Sequence, residues 1–116
     1  MNLVVQRDFA DKNQRVLEQT LRALKKAIAF IQNDQESAKQ IIARVLDKDQ
    51  AFMKWIWPDF DFGLQLDQQL LITLEDEAKW AIGKKLVEQQ ATPNFFELID
   101  MKPLKNVSPE RVSIIH

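Results

Sequence analysis

Apolar residues between positions 14 and 32 fall into two adjoining rows, spaced three and four apart. Leu17, Leu21, Leu24, Ile28 and Ile31 form one row, and Val16, Ala23, Ala27 and Phe30 form the other. This spacing predicts an α-helix over 14–32 whose apolar surface covers about half the circumference, wider than a one-sided surface helix needs. Such a helix is expected to pack against two neighbours. Asp11 or Asn13 is placed to cap it, and Glu18 and Arg22, four apart, to support its wet side. Asn33-Asp34 interrupts the run, and Asp34 is placed to cap a second helix with Ala38, Ile41, Ile42 and Val45 on its apolar side. Helix, short break and helix predict an αα-hairpin.

Asp49 is placed to cap a third, short helix that carries Phe52, Met53, Trp55, Ile56 and Trp57. Pro58 makes Trp57 its end, because the residue before proline disfavours helical geometry. Residues 60–66 alternate apolar and polar, which predicts an extended connector or short strand. Asp67 then caps a long helix reaching about Lys84. Leu70, Leu71, Leu74, Ala78, Ala81 and Ile82 share one arc of it, and Ile72, Asp76 and Trp80 lie on another. Glu75 and Lys79 stand in the favourable i,i+4 order.

The ends differ in character. Leu3-Val4-Val5 is a short β-branched run that predicts a strand ending near Asp8, and Val112–Ile115 is strand-like. Pro93 suits the first turn of a small helix through Ile99, and Ser108-Pro109-Glu110-Arg111 predicts a capped turn. The expected fold is mainly α, with four principal helices (a helical hairpin plus a capped long helix) and short strands near the termini. The 116 residues amount to one modest domain, 1–116.

Composition narrows the function classes. Sixteen Lys and Arg stand against 17 Asp and Glu, for a net charge of −1, so no broad field draws the chain to nucleic acid or an anionic membrane. There is no cysteine, which removes disulfide and thiolate chemistry. No apolar run approaches the roughly 20 residues of a membrane-spanning helix. No basic and then apolar export signal follows Met1-Asn2-Leu3.

Candidate chemistry is sparse. A Ser-His-acid set would draw on Ser37, Ser108 or Ser113 and would need His116, the one histidine and the last residue, to be held rigid. Asp61-Phe62-Gly63 spells the kinase metal-binding tripeptide without the glycine-rich or catalytic-loop signatures that accompany it. Asp59 and Asp61 begin like a calcium loop, but Phe62 stands between Asp61 and Gly63. Glu75-Asp76-Glu77 lie on adjacent helix positions that fan out by about 100° each, which makes a solvated face rather than an acid–base pair. No catalytic residue, metal site or cofactor is expected. Trp55, Trp57, Phe60 and Phe62 read as core filler between helices or as an aromatic platform, with only Lys54 as a nearby base. Trp80, on the off-face of its helix, marks a contact surface.

Taken in order, these pieces resemble the C-terminal part of the nitrate/sulfonate/taurine type of substrate-binding protein from bacterial ABC importers. The likeness runs through the opening strand and helix pair, with Gln14 where that family has proline. It is closest from Trp57-Pro58 through Leu66-Asp67-Gln68 to Leu74–Ile82, and continues in Pro93-Asn94-Phe95 and in Val107-Ser108-Pro109-Glu110 to Ile115. The resemblance implies a non-catalytic fragment of a two-lobed α/β receptor, periplasmic or otherwise extracytoplasmic, that closes on a small solute and delivers it to an ABC permease. Trp57, Phe60 and Asp67 are the positions it suggests for ligand contact. Leu3, Val4, Val5 and Trp80 become interface candidates, and the isolated chain is expected to self-associate through them. The alternative is a helical sensory or structural module that contacts a partner protein.

Overall fold

Three aspartates start three helices. In the computed structural model, which describes residues 1–115, the α-helices are α1 Arg7–Lys12, α2 Gln14–Asn33, α3 Gln35–Leu46, α4 Gln50–Ile56, α5 Gln68–Gly83 and α6 Lys102–Val107. Short 3₁₀ turns occupy Trp57–Asp59, Phe95–Leu98 and Pro109–Arg111. Asp34 Oδ1 accepts from the Ser37 N–H at 3.1 Å, Asp49 Oδ1 from the Phe52 N–H at 2.7 Å, and Asp67 Oδ1 from the Leu70 N–H at 3.0 Å. Each satisfies one of the donors that a helix start leaves unpaired. The Ser37 side chain and backbone both donate to Asp34 and hold its carboxyl below the usual aspartate value.

Two helices are followed by a residue other than glycine in the left-handed region. Asp47, at φ 51°, ends α3, with Lys48 N donating to Ala43 O at 2.9 Å. Lys85, at φ 55°, follows α5, with Leu86 N donating to Ala81 O and Lys85 N to Ile82 O, both at 2.9 Å. This left-handed turn recovers carbonyls orphaned at the helix end. Aspartate tolerates the geometry better than most residues, whereas lysine carries strain there.

The start of the chain corrects the expected strand at Leu3-Val4-Val5. These residues precede α1, are exposed and pair with no strand. Asn13 serves both neighbouring helices. Its carbonyl accepts the Leu17 N–H at 3.1 Å as α2 begins, while its side chain turns back to Phe9 O at 3.0 Å and closes α1. At the other end, the strand-like 112–115 reduces to one parallel bridge between Val112 and Leu66. A lone bridge cannot grow into a sheet without further extended chain beside it.

The chain divides into two compact units, Met1–Glu18 with the chain from Gln65 onward, and Gln19–Leu64, so that α2 begins in the first and runs on into the second. In the first unit, Leu17 of α2, Leu71 of α5, and Leu104 and Val107 of α6 are buried, with Ala10 and Ile114. Gln14 Nε2 donates to Ala10 O at 2.7 Å and to Asp100 Oδ2 at 3.2 Å, and Asn106 Nδ2 donates to Glu18 Oε1 at 2.7 Å. Glu18 is thus held by α6, and no ion pair joins it to Arg22 among the described residues. In the second unit, α3 packs on α4, and the buried apolar residues are Ala38, Ala43 and Met53.

Only part of one row of α2 faces inward. Leu17 is buried, and Leu21, Ile28 and Ile31 are half-buried, whereas Leu24 of the same row and Val16, Ala23, Ala27 and Phe30 of the other are exposed. The two-neighbour packing predicted for this helix is therefore not present. Among the described residues no helix is long and apolar enough to cross a membrane.

Candidate functional site

Pro58 ends α4 and turns the chain through the 3₁₀ segment Trp57–Asp59, which sets three aromatic rings side by side. The Trp57 and Phe62 ring centroids are 5.2 Å apart, those of Phe60 and Phe62 5.4 Å, and those of Trp57 and Phe60 6.5 Å. Their planes are inclined by 42°, 39° and 77° in that order, so the first two pairs are tilted and Trp57 meets Phe60 edge to face, an arrangement that suits ring quadrupoles. The rings form part of the wall of a shallow concavity of about 180 Å³, completed by Ile31, Gln32, Gln35 and Asp61.

Two amides hold the cluster to the junction of α2 and α3. Trp57 Nε1 donates to Gln35 Oε1 at 3.3 Å, and Gln32 Nε2 donates to Phe62 O at 3.4 Å. Lys39 Nζ lies 5.5 Å from the Trp57 ring centroid while also pairing with Glu36 at 2.9 Å. Close by in sequence, Phe52 and Trp55 pack at 5.8 Å, with Lys48 over the Phe52 ring at 5.7 Å.

The structure brings Trp57 and Phe60 together on one surface and puts Asp67 to a different use. Asp67 belongs to the first unit, and its carboxylate is engaged at the start of α5. Replacing Asp67 with alanine is expected to lower stability by about 1 kcal/mol, the usual cost of losing such a cap. Urea denaturation checks this, and an unchanged midpoint would show that the side chain serves something other than the helix.

The aromatics fill little core. Trp55 and Phe60 are exposed, and Trp57 and Phe62 are half-buried. Gln32, Gln35, Asp61 and Lys39 were not anticipated as members of this group. Gln35 is 22 residues from Trp57, and only the packing of α3 on α4 joins them.

Nothing else converges. Ser37 is engaged in capping α3, Ser108 is buried at the end of α6, and His116 lies outside the described residues. Glu75 and Asp76 flank Lys79 at 3.9 and 3.7 Å on the exposed side of α5. Among the described residues no group of three His, Cys, Asp or Glu could hold a metal ion. Ile72 and Trp80 are exposed on that same helix, Trp80 to 60%. No family model, curated protein or solved structure matches this chain.

Proposed function

We propose that this chain is a non-catalytic helical module that works by apolar contact with another polypeptide. The observation carrying this reading is the amount of surface left uncovered. In the first unit Ile72, Trp80, Leu86 and Leu98 are exposed, and in the second Phe30, Val45, Leu46 and Trp55. Single exposed apolar residues are unremarkable on any protein. Here Trp80 and Ile72 share one side of α5, and Phe30 stands beside Ala23 and Ala27 on α2.

For the isolated chain the available occupant is a second copy. Sedimentation velocity from about 1 to 300 μM is expected to show the mass rising above that of the monomer within this range. A monomer at every concentration would overturn the reading.

The likeness to the C-terminal part of ABC-importer receptors gives the module a specific setting. The covering polypeptide is then the rest of an extracytoplasmic receptor that passes a small solute to a permease. This setting rests on the sequence pattern alone. Genes for an ATPase and a permease beside the coding sequence would favour it, and a fused kinase or cyclase domain would favour a sensory partner instead.

A further inference from the structure

We propose that the concavity bounded by Trp57, Phe60 and Phe62 binds a quaternary ammonium head group. Three aromatic rings in mutual contact line the hollow together with Asp61, and the faces of such rings attract cations. The fold already uses this property, since the Lys39 ammonium lies over the Trp57 ring. Lys39 is not part of the concavity lining.

The polar atoms on the rim point to the same charge. Gln35 Oε1 is taken by the Trp57 indole and Gln32 Nε2 by the Phe62 carbonyl. That leaves the Gln32 amide oxygen and the Asp61 carboxylate as acceptors, and Asp61 has no ion pair among the described residues. An anion would meet the Asp61 carboxylate, which repels it. A primary ammonium would give up strong hydration for little hydrogen bonding. A methylated ammonium keeps its charge, is weakly hydrated and offers an apolar skirt to the rings and to Ile31.

Size sets a further limit. About 180 Å³ is well below the ~300 Å³ at which pockets begin to enclose drug-sized ligands. The occupant is therefore a head group with the rest of its molecule outside. A choline-like solute and a trimethyllysine side chain both carry that group. The inference does not depend on the association reading, because no residue of the concavity enters that argument except as general surface.

The test is a titration of the full chain by ¹H–¹⁵N NMR, following the assigned Trp57 indole N–H. Choline chloride is compared with sodium chloride at equal ionic strength and with 3,3-dimethyl-1-butanol, which has the same shape without the charge. The expected result is saturable choline binding with a dissociation constant on the order of 1–10 mM, and about fivefold weaker binding of the neutral alcohol. Asp61→Asn, at an exposed position that leaves the rings in place, is expected to weaken choline about threefold and leave the alcohol unchanged. A trimethyllysine peptide supplies the second arm. Binding tighter than choline identifies a modified protein tail as the source of the group, and weaker binding identifies a small solute. Equal affinity for choline and the alcohol, or no saturable response of Trp57 to choline, overturns the proposal.

Discussion

Replacing Met53 with alanine is expected to unfold the unit Gln19–Leu64. Met53 is 1% exposed, and the other buried apolar residues of that unit are the alanines Ala38 and Ala43. Truncating a buried methionine typically costs about 2–5 kcal/mol, through lost transfer energy and the cavity left behind. A segment of this size can be expected to hold only about 2–7 kcal/mol in total. The alanines are too small to move into the space, and α3 and α4 would lose the side chain between them. Native-state hydrogen exchange gives the sharpest readout, because protection should collapse in α3 and α4 and persist in α5 and α6. Met53→Leu preserves the volume and should cost less than about 1.5 kcal/mol. If the alanine variant loses less than about 1 kcal/mol, Met53 is not what holds α3 on α4.

The sparse core also accounts for what the sequence pattern could and could not reveal. Asp34, Asp49 and Asp67 were legible as helix starts because a cap is a contact between residues three apart, and all three form. The inward arc of α5 was legible for a similar reason. Leu70, Leu71, Leu74, Ala78, Ala81 and Ile82 are all buried or half-buried there, as their spacing required. Leu3-Val4-Val5 was misread because β-branched composition describes a residue's fitness for a strand and not the presence of a neighbour to pair with. α1 was hidden behind that reading. α6 was hidden by its shortness and by Pro103 in its first turn, a position where proline's missing N–H costs nothing.

The candidate site was half legible for the same physical reason. Residues 57–62 are consecutive, so their aromatic character is visible in one glance along the chain. Gln32, Gln35 and Lys39 reach Trp57 and Phe62 only once the chain after α3 has folded back on the α2–α3 junction. Lys54, the base closest in sequence, plays no part in these ring contacts, and Lys39 does. The second row of α2 teaches the converse lesson. Its apolar spacing is real, but spacing reports what a face could bury and not whether this chain supplies the cover.

Trp80→Ala is expected to weaken self-association about 30-fold or more while leaving the folded monomer almost unchanged. A central interface tryptophan commonly contributes 2 kcal/mol or more on truncation to alanine, roughly that factor in affinity. Trp80 is 60% exposed within its own chain, so its removal opens no cavity there. Exposed substitutions of this kind usually change stability by within about 0.5 kcal/mol. Trp55→Ala is the matched control. It removes another tryptophan, 69% exposed, that packs on Phe52 at 5.8 Å within the second unit. If association is specific to the α5 face, sedimentation should respond to the Trp80 change and far less to the Trp55 change. Equal loss from both would mean that the copies adhere through greasy surface in general. Loss of thermal stability on Trp80→Ala at concentrations where the chain is monomeric would mean that the indole supports its own fold, and the contact face would then have to be sought on α2, around Phe30.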